Sequence, residues 1–316
     1  MDTLIFSLSA VLPLFFFIVL GFLLRRFRVV DDAFLEGANK LGFQVLLPVL
    51  LFYNLISSDM QSAMDMRLIS FAVVGIILIA LIMIPIVIFY TKDNRRRGVL
   101  IQCVMRSNYV LFGVAMAQNM FGMEGAGPAS LLVAVVIPVF NVMAIIALSL
   151  FSENKKKGRA RILSIIMSII TNPLIISTIV GLLFAQFNLS IPTLLRKPLA
   201  DLAALASPIA LIALGGRFQF NAVRKNLKDI LFGVVGKLIV SPVIFLSIAV
   251  TMGFRGPQLG ALLALFGSPV AVSSYSMALQ AGADDELAGQ LVVFTTLFSL
   301  LSIFFFVFAL RSMGFL

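Results

Sequence analysis

The sequence predicts an all-α polytopic membrane protein: ten transmembrane helices in two inverted five-helix repeats, with the fourth and ninth helices broken and crossed. Three observations carry this prediction. The 316 residues are 61% hydrophobic and 12% charged, with mean hydropathy +1.10, too apolar for a soluble core and too poor in charge for a soluble surface. Landmark residues recur at a constant offset of 160: Pro13 and Pro173, Gly21 and Gly181, Leu23 and Leu183, Phe27 and Phe187, Pro48 and Pro208, Gly122 and Gly282. Finally, Lys and Arg gather in alternate links between the apolar runs.

A bilayer core of about 30 Å needs roughly 20 apolar residues in helix. Segment 1 (4–24) qualifies and ends at Arg25, Arg26 and Arg28. Its Asp2 in place of a basic start, and its long apolar run, separate it from a cleaved signal peptide. Segment 2 (35–56) carries Pro48, Tyr53 and Asn54, and segment 3 (68–91) carries Pro85 before Lys92 and Arg95. Segment 4 (97–120) places Arg106, Ser107, Asn108 and Tyr109 at mid-membrane, just before Gly113. The turn FGMEGAGP (121–128) is Gly-rich but lacks the Gly-Lys-Ser/Thr ending of a phosphate loop. Segment 5 (127–151) holds Pro138 and Asn141 and closes the first repeat, residues 1–151.

The longest polar link, SENKKKGRAR (152–161), divides the repeats; it suits anionic lipid head groups, although topology alone explains it. Ser152 and Lys155 match Ser-x-x-Lys only within this polar link, without companion motifs. The second repeat, 162–316, opens with segment 6 (162–185), in which NPLIISTIVGLLFAQF echoes LPLFFFIVLGFLLRRF of segment 1. Asn188-Leu-Ser190 is a glycosylation acceptor by pattern alone. Segment 7 (197–218) carries Pro208; segment 8 (229–252) carries Lys237 and Pro242; segment 9 (256–280) is interrupted by Gly267, Ser268 and Pro269; segment 10 (287–311) follows Asp284, Asp285 and Glu286. Five spans per repeat is an odd number, so the second copy sits upside down, an organisation that many secondary transporters use to alternate around a central site.

The links after segments 1, 3, 5, 7 and 9 hold 17 of the 24 Lys and Arg residues: Arg25, Arg26, Arg28, Lys40, Lys92, Arg95, Arg96, Arg97, Lys155, Lys156, Lys157, Arg159, Arg161, Arg217, Arg224, Lys225 and Lys228. The opposite face holds Arg67, Arg196, Lys197, Arg255 and Arg311. By the positive-inside rule the rich face is cytoplasmic and both termini are outside, in the cell membrane. The net charge of +10 is therefore a topology signal rather than a nucleic-acid site. His is absent and Cys103 is the sole cysteine, so intrachain disulfides and Cys/His metal clusters are excluded, and nothing asks for a cofactor.

The two interruptions are the candidate site. Asn108 and Ser268 are 160 apart, as are Tyr109 and Pro269. A proline inside a helix removes one hydrogen bond and clashes with the preceding turn, and freed backbone groups at membrane depth need protein or water around them. Paired breaks in equivalent positions are the sequence pointer to a transport site near the midplane. Half-helix N-termini favour anions, and Asn108, Ser107, Tyr109, Ser268, Ser273, Ser274 and Tyr275 add neutral donors. Arg106 and Lys237 are the cations well inside segments, with no central Asp or Glu to pair them. Each then needs an anion, water or loss of its proton; the alternative for Arg106 is to snorkel toward the surface near Arg97. Asn54 and Asn141 are candidates for substrate contact or for ordinary interhelical bonding. The prolines 13, 48, 85, 173, 208 and 242 read as kinks that shape the bundle.

The chain resembles the auxin efflux carrier family in its short prokaryotic, malonate- or malate-permease-like form. The resemblance spans nearly the whole length and rests on Asn172-Pro-Leu-Ile-Ile176, on SNYVLFGVAM (107–116) and above all on SPVAVSSYSMALQAGADDELAGQLVVFTTLFSLLSI (268–303). It implies a fold like that of bile acid symporters and sodium/proton antiporters. Helices 1, 2, 6 and 7 would form a scaffold and helices 3–5 and 8–10 a transport domain, with dimerisation through the scaffold. It also implies organic-anion cargo. Many relatives have Gly-Ile-Pro after the helix 4 asparagine; here Gly113, Val114 and Ala115 stand there, which unsettles carry-over of substrate preference.

The sequence thus predicts a secondary carrier of small organic anions, carboxylates foremost, working by alternating access. A sodium-coupled symporter for bile-acid-like anions is the alternative, with a non-transporting sensor behind it. Sodium or a proton stand open as coupling ions; without a membrane carboxylate, Lys237 is the titratable candidate. An intramembrane enzyme lacks a convergent nucleophile, base or metal cluster.

Overall fold

The computed structural model describes residues 16–57, 65–109, 116–117, 120–122, 127–152, 163, 166–167, 169–187, 189–218 and 220–316. Pro13, Gly113, Val114, Ala115, Asn188 and all of the 152–161 link beyond Ser152 lie outside the described residues. Every regular element among the described residues is helical.

Residues 16–26 form α1. Asp31 caps α2 by accepting from the Phe34 N–H, and this helix runs Asp32–Leu41, widens into a π turn at Gly42–Leu46 and continues as Leu47–Ser57. Helix α3 is Met66–Tyr90, capped by Asp65; α4 is Asn94–Met105, capped by Asp93; α5 is Gly127–Leu150. In the second half α6 is Pro173–Gln186, capped by Asn172, and α7 is Thr193–Arg217. Helix α8 starts as Phe220–Val235, widens at Gly236–Val240 and resumes as Ser241–Thr251. Helices α9 (Gly256–Gly267) and α10 (Ser273–Gln280) are the two parts of segment 9, and α11 is Asp285–Ser312.

Six of these helices are long and apolar enough to cross a membrane, spanning Asp32–Ser57, Met66–Tyr90, Gly127–Leu150, Thr193–Arg217, Val223–Thr251 and Asp285–Ser312. They match segments 2, 3, 5, 7, 8 and 10. Segments 1 and 6 run into residues outside those described, and segments 4 and 9 are interrupted, so none of these four is a full-length span here. Large apolar side chains stand exposed along the bundle, Phe89 at 90% and Leu194 at 84% among them. Hydrocarbon rather than water is the solvent such a surface fits.

Both π turns precede a proline by the same interval: Gly42 with Pro48, and Gly236 with Pro242. A proline ring collides with the carbonyl four residues back in a regular helix. Widening the preceding turn by one residue relieves that collision, and here the Leu47 N–H reaches the Gly42 carbonyl and the Ser241 N–H the Gly236 carbonyl.

Helices α1, α2, α6 and α7 pack together, with α6 and α7 both on α2. At the α1–α7 crossing a methyl group on Gly21 would lie 2.1 Å from the Ile212 carbonyl oxygen. At the α6–α2 crossing one on Gly181 would lie 3.4 Å from the Phe52 Cα. Gly21 and Gly181 are 160 apart, as are Phe52 and Ile212, so the two crossings use equivalent residues. Small residues permit such backbone approach. Helices α3, α4, α5, α8, α9, α10 and α11 form the other group.

The links fall at two ends. At one, Arg96 pairs with Asp229 at 2.5 Å and Asp284 at 3.1 Å, and Arg95 donates to the Gly282 and Ala283 carbonyls. At the other, Arg67 stacks on Phe254, Gln258 donates to Asp65, and the Gly256 N–H meets the Phe315 carbonyl near the C-terminus.

Candidate functional site at the crossed breaks

Helix α4 stops at Met105: the Arg106 N–H still reaches the Gln102 carbonyl, but Arg106 itself is extended at φ −85°, ψ 133°. Helix α9 stops in the same manner at Gly267, with the Ser268 N–H on Ala264 and Ser268 extended at φ −69°, ψ 153°. Pro269 follows at once and lacks the donor to continue a helix. The two interruptions meet, the Asn108 N–H donating to the Pro269 carbonyl at 2.8 Å. Residues 161 positions apart thus abut in space. The Val270 N–H is taken by Thr295 Oγ1 of α11 at 3.1 Å, and Gln102 Nε2 of α4 donates to the Ser274 carbonyl at 3.1 Å. Freed backbone groups at this depth therefore find protein partners.

Both interior cations are drawn to the breaks. Lys237, fully buried within the π turn of α8, donates to Ser107 Oγ at 2.5 Å, and Ser107 donates onward to the Leu265 carbonyl in the last turn of α9. Arg106 is 5% exposed and turned inward, so it does not snorkel. Its Nη2 donates to Asn141 Oδ1 of α5 at 2.6 Å, and its Nη1 lies on the Met277 sulfur of α10. No carboxylate pairs with either cation among the described residues.

A cavity of about 50 Å³ opens beside the crossing. Arg106, Ser107, Asn108 and Tyr109 line it from the first break and Ala271, Val272 and Ser273 from the second. Leu47, Leu50 and Leu51 of α2, Ile137 and Phe140 of α5 and Ser207 of α7 complete the wall. The cavity thus lies where the α1/α2/α6/α7 group faces the other group.

The buried polar side-chain atoms left without a partner have one character. Among the described residues they are the amide nitrogens of Asn54, Asn108, Asn141 and Gln290 and the hydroxyls of Ser241, Ser268 and Ser274, with Gln102 Oε1 the one pure acceptor. Of the oxygens around the crossing, Gln102 O, Ala264 O, Leu265 O, Pro269 O and Asn141 Oδ1 each accept a hydrogen bond. The vacant donors suit an acceptor-rich group.

Of the sequence candidates, Arg106, Ser107, Asn108, Tyr109 and Ser273 line the cavity, while Lys237, Asn141, Ser268, Pro269 and Ser274 stand directly behind it through the bonds above. Tyr109 turns its hydroxyl to the Ala129 carbonyl at 3.3 Å. Asn54 lies further along α2 and does not line this cavity, and Tyr275 lines a different one. Sequence reasoning missed Gln102, Thr295 and Met277. The first two carried a signal as uncharged polar residues inside apolar spans; Met277 carried none. No group of residues suited to hold a metal ion occurs among those described.

Comparison with known proteins gives a consistent answer. The model of a family described as "Membrane transport protein" matches residues 6–307. An "Uncharacterized transporter" of Methanothermobacter thermautotrophicus is 22% identical, with 94% of this chain and 96% of that protein covered. A "Putative malonate transporter" of Rhizobium meliloti is 23% identical, with 96% of this chain and 95% of that protein covered. With its interrupted helices meeting inside an apolar bundle and its match along nearly the full length, the chain belongs to the auxin efflux carrier family of membrane transport proteins.

Proposed function

We propose that the protein is a secondary carrier of small organic anions, dicarboxylates such as malonate foremost, which binds its cargo at the crossed breaks and works by alternating access. The observation that carries this reading is the charge of the crossing: two buried cations, vacant donors and, among the described residues, no carboxylate paired with them. Leaving two cations uncompensated in a low-dielectric interior is costly, and a bound carboxylate would offset that cost. The name of the Rhizobium relative points to the same cargo class. Inverted repeats are supported by the matched Gly21–Ile212 and Gly181–Phe52 crossings, and ten spans in the cell membrane by the segment pattern.

Uptake of radiolabelled malonate into proteoliposomes tests the reading, and comparison of sodium with choline media decides whether sodium is the coupling ion. Asn108→Ala should lower initial rates about tenfold or more, the worth of one hydrogen bond to a charged group. Wild-type rates in both Asn108→Ala and Ser268→Ala would remove the crossing as the site.

A further inference from the structure

A second cavity, of about 480 Å³, lies at the end of the bundle where α7 finishes, α11 begins and the α1–α2 link turns. It shares α7 with the crossing cavity: Ser207 lines the smaller one and Leu214, Gly216 and Arg217 the larger. Ten residues of helix separate Ser207 from Arg217, about 15 Å at 1.5 Å per residue. The second shared wall is α10, which gives Ser273 to one cavity and Tyr275 to the other. The large cavity is therefore the approach to the crossing from the face that the charge bias marks as cytoplasmic.

Its donors are held in place. Gln290 Nε2 (residue 1% exposed) lines this cavity without a partner, and the Tyr275 hydroxyl (residue 2% exposed) lies against Arg217. A hydroxyl whose oxygen accepts from a guanidinium keeps its own proton for a second acceptor. The orientation of the Gln290 amide is dictated from behind. Arg96 can only donate, and its Nη2 does so to Asn226 Oδ1 at 2.9 Å. Asn226 Nδ2 must then face Glu286 Oε1 at 2.9 Å and Gln290 Oε1 at 3.0 Å. With its oxygen so engaged, Gln290 keeps its nitrogen free. Of the charged groups on the wall, Arg25 is paired with Asp32 at 2.6 Å and Glu286 with Asn226. Arg217 makes no ion pair among the described residues; Asp285 is its charged neighbour.

We propose that Arg217, Tyr275 and Gln290 form a second anion subsite at this inner mouth, holding a carboxylate between the aqueous face and the crossing. It rests on the anion-carrier reading above. Asp285 attracts Arg217 when the subsite is empty, and the incoming carboxylate displaces it, so Asp285 competes with the cargo for one guanidinium.

Malonate as probe, with the full-length carrier in right-side-out and inside-out membrane vesicles, tests the subsite. Arg217→Gln should raise the half-saturating malonate concentration about tenfold on the face that exposes this cavity and leave the other face within about twofold. Tyr275→Phe should act in the same direction more weakly. Asp285→Asn should act in the opposite direction on that face, lowering the half-saturating concentration; a merely structural defect would not do so. Arg217→Lys, which keeps the charge, should recover part of the loss. Equal effects on both faces, or an Asp285→Asn variant that weakens binding, would overturn the subsite while leaving the carrier reading intact. Failure of the wild-type protein to move malonate from either face would bring down the carrier reading and the subsite with it.

Discussion

Lys237 is the residue on which the electrostatics of the crossing turns. A buried ammonium normally answers to a carboxylate; here it answers to a serine hydroxyl, which passes its own proton to a carbonyl of the opposite half. The ammonium thus ties α8, the first break and the end of α9 together and leaves its charge uncancelled for a ligand. Removing a buried charge that no opposite charge compensates relieves its desolvation cost. Lys237→Met should therefore keep or raise the melting temperature while lowering malonate uptake by about tenfold or more. A melting temperature that falls with uptake unchanged would assign Lys237 a structural role alone. Lys237 and Arg106 were legible in the sequence as cations without acids. Their partners were not: Asn141 lies 35 positions from Arg106, Met277 lies 171, and Ser107 lies 130 from Lys237. Such pairings depend on how whole helices pack, which local pattern does not contain.

Helices here are shaped by where their regular bonding fails. Pro48 and Pro242 each sit behind a π turn, and the second of these turns carries Lys237. Within that turn the lysine lies in the core instead of on the lipid face. The prolines were visible in the sequence as kinks; the π geometry was not, since a one-residue widening leaves the apolar pattern almost unchanged. The helix 4 and helix 9 interruptions were legible because polar residues and Gly-Ser-Pro stand where apolar residues should, and the structure places both breaks within one residue of the expected landmarks. At the close crossing of α1 and α7, any side chain on Gly21 runs into backbone that cannot rotate away. Gly21→Val should cost about 1–3 kcal/mol by overpacking, read as a lowered melting temperature in detergent. An unchanged melting temperature would mean that this crossing is looser than described.

Across the whole molecule, the two helix groups meet at the cavities and are each tied internally. Arg96, Asp229, Asn226, Asp284, Glu286 and Gln290 bind the ends of α4, α8 and α11 into one unit at one end of the bundle. Between the groups the polar contacts are sparse, Ser276 to Asn39 at 2.8 Å being one. That division suits a transport unit moving against a scaffold, the behaviour proposed above. The apolar composition and the charge bias of the links made the membrane class legible from the sequence, because both are properties of the chain read end to end. The larger cavity was not legible: Arg217 counted only as one more basic residue in a link, and Gln290 as one polar residue in an apolar run. Their joint meaning needed the Arg96–Asn226–Gln290 chain of bonds.

The central claim is that the crossing receives negative charge. The most direct measurement is the melting temperature of the detergent-purified protein with malonate and, separately, with malonamide, its neutral isostere, in wild type and in Asn108→Ala. A ligand bound by the native state raises the midpoint by mass action. The account predicts a shift with malonate, none with malonamide, and a smaller malonate shift in Asn108→Ala. Equal shifts with the two compounds, or a malonate shift undiminished by Asn108→Ala, would contradict it.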